Sequence, residues 1–305
     1  MSLSPISTHT KATPTMEGAG VHLHRGFGFG RTEETDPFLL FDDFRGDSEE
    51  LYKAGFPWHP HRGIETVTYV LSGTVEHGDS LGNSGTLDSG SIQWMTAGSG
   101  IIHQEMPKGD EHGRMHGFQL WANLPRDLKM TDPRYQDVPG SEVVVRSEDD
   151  GTVMRVLCGE YRGLVGPVDG IAAAPRYLDI TVPPGRTRSF HMDLEARSFA
   201  YVFEGDGVFR GASDPQPVPY EVADDVIALK PVEVDNRSLI VFDSGDEVRV
   251  TAGESGLRFL LVSGRPIREP VAWYGPIVMN TEEELRTAFN QIQSGAFIQK
   301  SGRTS

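Results

Sequence analysis

Cysteine is almost missing from this 305-residue chain: Cys158 stands alone, so no intrachain disulfide can form and nothing points to an oxidising compartment. No apolar run approaches the roughly 18 residues that mark a membrane-spanning helix. The opening MSLSPISTHTK has no hydrophobic signal core. Positive charge is also scarce, with 28 Lys and Arg against 44 Asp and Glu and a net charge of -16, so the basic surface needed to grip a phosphate backbone is lacking. These absences predict a soluble intracellular protein, cytoplasmic or, in a eukaryote, also nuclear. It is expected to be a monomer that contacts neither membrane nor nucleic acid directly.

Turn residues are plentiful. The 35 glycines and 20 prolines separate short runs rich in Val, Ile, Thr and aromatics, the pattern of an all-β sandwich or barrel. The length predicts two domains of roughly 100–150 residues each. Residues 1–18, rich in Ser, Thr and Pro without apolar period, read as a mobile tail. The proline-bearing connector PRDLKMTDPRYQDVPG separates a first domain over 19–138 from a second over 139–270. In the remaining segment, 271–305, Thr281 and Glu284 have capping-box spacing. They predict a helix running to about Gln293 that packs Leu285, Ala288, Phe289 and Ile292 on the barrel.

Two dipeptide-spaced pairs carry the chemistry: His59 with His61, and His103 with Glu105, each in a segment of strand character. Side chains two apart on a strand share a face, so each pair can aim both groups at one point. Three imidazoles and a carboxylate suit a single divalent ion: iron(II), manganese, nickel, copper or zinc. The absence of thiolate argues against a closed structural zinc site and for an open coordination position. Phe56, Trp58, Trp94, Met95 and Met106 are near enough in sequence to wall a pocket, with Trp94 or Met95 in the core.

Other candidates are weaker. His22 and His24 read as a solvent-facing strand edge, His77 has no partner of matching spacing, and Asp42 and Asp43 point to opposite faces of their strand. Gln119 and Trp121 share the more polar face of HGFQLWANL, which makes Gln119 a candidate donor to a metal ligand. Gly26, Gly28 and Gly30 mimic a dinucleotide fingerprint without the βαβ unit it requires. Matching Tyr69-Val70-x-x-Gly73 to Tyr201-Val202-x-x-Gly205 lays His191 on His59 and Asp193 on His61, but Arg197 on Glu65. The second domain is therefore expected to hold no metal.

The segments DPFLLFDDF from Asp36, FPWHPHRGIETVTYVLSG from Phe56, GSIQWMTAGSGIIHQEMP from Gly90, HGFQLWANLP from His116 and GRPIREPVAWYGPIVMNTEEE from Gly264 resemble the pirin family of the cupin superfamily. The similarity runs from about residue 20 to about residue 295. It implies a bicupin: two antiparallel β-barrel (jelly-roll) domains with a short C-terminal helix. It also implies one mononuclear metal, usually iron, in the N-terminal barrel, its ligands falling on His59, His61, His103 and Glu105. Most cupins instead take their carboxylate from shortly after the first histidine pair, where Glu65 stands. The resemblance implies a quercetin 2,3-dioxygenase-type activity, in which Glu105 is both ligand and the base for a flavonol or other small aromatic enol that reacts with O2. The alternative it implies is an iron-dependent redox-sensing protein, co-regulating transcription through a protein partner.

Overall fold

The computed structural model describes residues 3–210 and 232–299, and strands dominate it. Among the described residues there are two α-helices, Thr32–Thr35 and Glu282–Ser294. The chain divides into two compact units. One takes its described residues from 1–11, 144–165 and 175–266; the other from 12–143, 166–174 and 267–305. We call them the C-terminal and N-terminal units after the sequence that supplies most of each. Residues 1, 2, 211–231 and 300–305, which belong to the expected tail, second domain and C-terminal segment, lie outside the described residues.

The N-terminal unit contains two antiparallel sheets. The larger orders its strands Arg134–Val138, Ile92–Thr96, Ile64–Ser72, Met115–Asn123, Phe38–Gly46, Val21–Phe27 and Thr13–Glu17. The smaller orders Phe56–His61, Ile101–Lys108, Thr74–Asp79 and Ser84–Leu87. The Thr68 hydroxyl of the larger sheet donates to Glu105 of the smaller at 3.0 Å, so the two face each other. The architecture is the jelly roll expected from the sequence, built as a pair of open antiparallel sheets. FPWHPH carries two prolines, which cannot donate to a ladder on both sides, and it occupies the edge of its sheet.

The C-terminal unit is built on a nine-stranded sheet whose main path runs Ile6–Lys11, Ser238–Phe242, Arg197–Arg210, Glu247–Gly264, Arg176–Val182, Val153–Cys158 and Val144–Ser147. Its main core is an apolar cluster, with Phe190, Phe209, Phe242 and Phe259 among Val, Leu and Ile.

The expected mobile tail is largely strand. Ile6–Lys11 pairs antiparallel with Ser238–Phe242, and Thr13–Glu17 pairs with Val21–Phe27. Both alternate between half-buried and exposed positions and bury little apolar surface, so backbone pairing holds them without an apolar period. The C-terminal helix forms as its sequence predicts. Thr281 and Glu284 complete a reciprocal capping box, Gly295 closes the end in the left-handed region, and Leu285 and Ala288 are buried against Ile277, Met279 and Phe297.

Candidate metal centre

Strand alternation delivers the four predicted residues to one side of the smaller sheet. Ile101–Lys108 alternates buried and half-buried along most of its length, with His103 and Glu105 at buried positions. Across the ladder His103 lies opposite His59 and Ile101 opposite His61, and a bulge falls between His103 and Glu105. Bulges beside functional sites re-aim a side chain, here the carboxylate relative to the imidazoles. The segment after His61 is fixed by Gly63, whose φ of 76° and contact with the Val278 carbonyl leave no room for a Cβ.

The ligand atoms of His59, His61 and His103 lie within 4.8 Å of one another, and the three could hold a metal ion. Their ring centroids are 4.4 to 5.0 Å apart. His59 Nδ1 lies 2.8 Å from the Pro57 carbonyl and His61 Nδ1 lies 3.2 Å from the Pro276 carbonyl. A carbonyl can only accept, so each Nδ1 carries the proton and each Nε2 is left with a free lone pair. His103 is buried, and neither of its ring nitrogens has a hydrogen-bond partner. A buried imidazole without partners costs free energy unless something else satisfies it, and a metal does so. The donor set therefore fits a divalent ion.

Electrostatics agree with that fit. Burial pushes His61 well below the usual imidazole range, with His59 adding to the effect. Burial does the same for His103, reinforced by His61, His59 and His77. Neutral imidazole is the form that ligates. Burial raises the Glu105 carboxyl against the opposing pull of His59 and of the Thr68 hydroxyl.

His59, His61 and Glu105 line a cavity of about 750 Å3 together with Gln119 and Trp121. Glu65 is not in its wall. It is buried on Ile64–Ser72 and accepts a 2.8 Å hydrogen bond from Thr96. Gln119 faces the cavity, as its strand position predicts, and lies 2.9 Å from the Thr68 hydroxyl that reaches Glu105. Of the five apolar residues expected as pocket wall, only Phe56 lines the cavity. Trp58 and Met106 alternate with His59 and Glu105 and so turn away from it, while Trp94 and Met95 are both core.

Several residues of the site have no signal in the sequence. His77 lies directly opposite Glu105 on the neighbouring strand, buried, stacked on Tyr135 at 5.9 Å and 3.4 Å from Asp137. Trp273, Tyr274, Gly275 and Pro276 close one side of the cavity from more than 150 residues downstream of Glu105. Arg25 and Asp42 form a bidentate ion pair in its wall, both bonds at 2.8 Å. Only the register between strands brings these groups to the histidines.

Two strand-built units, one with an imidazole cluster opening on a cavity, define a two-domain cupin with the means to bind a metal. Residues 20–122 match the Pirin family model, and residues 177–298 match that of the Pirin C-terminal cupin domain. The chain belongs to the pirin family. It is 41% identical to a pirin-like protein of Caulobacter vibrioides over 97% of this chain and 100% of that one. It is 38% identical to the pirin of Homo sapiens over 89% and 86%. Among solved structures, a quercetin 2,3-dioxygenase from Acinetobacter baumannii superposes with a TM-score of 0.83 at 28% identity, covering 97% of this chain and 98% of that one.

Proposed function

We propose that this protein is a metal-dependent dioxygenase that cleaves flavonols such as quercetin with O2, using one iron(II) ion held by His59, His61, His103 and Glu105. The observation that carries this reading is the histidine triad at the edge of a cavity of about 750 Å3, with Glu105 in the same wall. That volume is in the range of small-molecule sites. Likeness to the Acinetobacter baumannii dioxygenase supports the reaction class.

When bound, such an ion supplies Lewis acidity toward an enolate oxygen and a redox partner for O2. The chain's own residues supply the rest. Glu105, its carboxyl raised by burial, takes the proton of the flavonol 3-hydroxyl on an oxygen not engaged as ligand. Thr68 holds Glu105 Oε1 by a hydrogen bond and is itself in contact with Gln119, which fixes the carboxylate's direction. Trp121 packs edge-on against His61 at 5.0 Å and, with Phe56 and Trp273, provides apolar surface for a flat ring system while excluding water. Glu105 serves in both roles because it lines the cavity, whereas Glu65 is directed to Thr96.

Glu105→Gln tests the assignment. The variant is expected to lose quercetin-dependent O2 uptake by at least about 100-fold, the usual scale for a general base. Retained iron with full turnover would refute the role of Glu105. No uptake by iron-loaded wild type on any flavonol would refute the dioxygenase reading and favour an interaction role for the same site.

A further inference from the structure

Four residues stand in one row across adjacent strands of the larger sheet, and three of them, Arg25, Asp42 and Gln119, line the cavity. Arg25 lies opposite Asp42, Asp42 opposite Gln119, and Gln119 opposite Thr68. Thr68 touches Glu105, so the row begins at the metal centre and leads away from it along one wall. At one strand spacing per step, Asp42 lies about 10 Å from Thr68. Around this row the same wall carries Leu23, Leu40 and Phe44, and its one further carboxylate, Glu17, is half-buried on the strand beyond Arg25 and paired with it.

Asp42 is 5% exposed yet lines the cavity. Arg25 Nε donates to its Oδ1 and Arg25 Nη2 to its Oδ2, and Arg25 is in turn paired with Glu17 at 2.9 Å. An ionised carboxylate has about four lone-pair sites, and the guanidinium fork uses two. The remaining sites can accept, and the clamp allows the carboxylate little rotation. A fixed, buried acceptor in a largely apolar wall selects for a ligand that brings a hydroxyl to that point.

We infer that Asp42, held by Arg25, is a specificity-determining residue that accepts a phenolic hydroxyl on the part of the substrate remote from its metal-binding end. The inference rests on the flavonol reading above and narrows it to polyhydroxylated flavonols. Asp42 takes the donor at one end of the row while the imidazoles and Glu105 face the enol end. The bound molecule is thereby given one orientation in a cavity whose remaining surface is largely aromatic and aliphatic.

The test is calorimetric titration of the iron-loaded protein under nitrogen, where nothing turns over, with quercetin and with 3-hydroxyflavone, which keeps the chelating end and lacks every other hydroxyl. Wild type is expected to bind quercetin about tenfold more tightly, the worth of one charge-assisted hydrogen bond. Asp42→Asn should bring that ratio to within about twofold, with the affinity for 3-hydroxyflavone unchanged. Arg25→Lys, which keeps the charge but breaks the fork, should lower the same ratio, and serves if the first variant does not fold. An unchanged ratio in a folded variant, or equal weakening of both ligands, would overturn the inference and leave the dioxygenase reading standing. Failure of wild type to bind either flavonol would overturn both.

Discussion

The two units differ most where they are deepest. The N-terminal unit buries His61, His103, Glu105, Glu65 and His77, and keeps a cavity beside them. The C-terminal unit fills the same kind of space with Phe190, Phe209, Phe242 and Phe259, whose rings meet at 5.4 to 5.8 Å. Sequence matching lays His191 on His59, yet His191 is exposed while its neighbours Phe190 and Met192 are buried. A shift of one residue turns every side chain of a strand to the other face. The second unit thus differs from the first in which face its histidine occupies as well as in how many histidines it has.

The largest effect should come from removing the feature that distinguishes the N-terminal unit. His103 is the triad member with both nitrogens buried and unpartnered, so His103→Ala is expected to cut bound iron, read by elemental analysis, to less than about a tenth of wild type. Full metal content in this variant would remove the triad from consideration. Next in size is the reverse change. Phe190→His with Met192→His places two imidazoles on the inward face of the C-terminal unit, where apolar side chains surround them. The pair should lower unfolding free energy by about 3–5 kcal/mol, the usual cost of emptying and polarising a core site, in urea titration. A loss below about 1 kcal/mol would mean that this apolar interior tolerates imidazoles.

Two cations sharpen the contrast on a smaller scale, Arg258 half-buried and Lys129 buried. In the C-terminal unit Arg258 is neutralised by a bidentate pair with Asp179 at 3.0 and 2.6 Å. In the N-terminal unit the Lys129 ammonium instead donates to three neutral oxygens, those of Gly63, Asn123 and Val278, at 2.8 to 3.1 Å. Burial pushes Lys129 down to about 7, against the attraction of Glu269 and Glu284. Lys129 joins the turn after His61 to the segment that closes the cavity. Lys129→Met, which strands three buried acceptors, is expected to destabilise the protein by about 3–4 kcal/mol in urea titration.

How much of this could be read from the chain depends on the distance over which each signal acts. Histidine spacing and strand alternation are local, and they point His59, His61, His103 and Glu105 toward one side of a sheet before any register is known. The helix at Glu282–Ser294 was equally legible, since its cap and its apolar stripe are contained in about four turns. Pairing between strands is not local. His77 gains its place opposite Glu105 from a ladder, and Ile6–Lys11 gains its strand from residues more than 200 positions away. The cavity wall at 273–276 and the Arg25–Asp42 pair were hidden for the same reason.

The smallest expected effect concerns the carboxylate that the sequence left as a rival to Glu105. Glu65 is 2% exposed, with Oε1 bonded to Thr96 and Oε2 without a hydrogen-bond partner. Burial raises it from 4.5 to about 7, against the hydrogen bond from Thr96 and the pull of the nearby Trp94 indole. A folded-state value above the unfolded one means that the native protein holds this proton more tightly. The resulting stability is complete below about pH 4.5 and is lost as pH rises through about 7. Glu65→Gln keeps the shape and removes the titration, so it should gain on wild type by on the order of 2 kcal/mol between pH 5 and pH 8 in urea titrations. If Glu65 were instead an ionised metal ligand, the same variant would lose iron and lose ground to wild type at pH 8. The sign of the change therefore separates the two carboxylates.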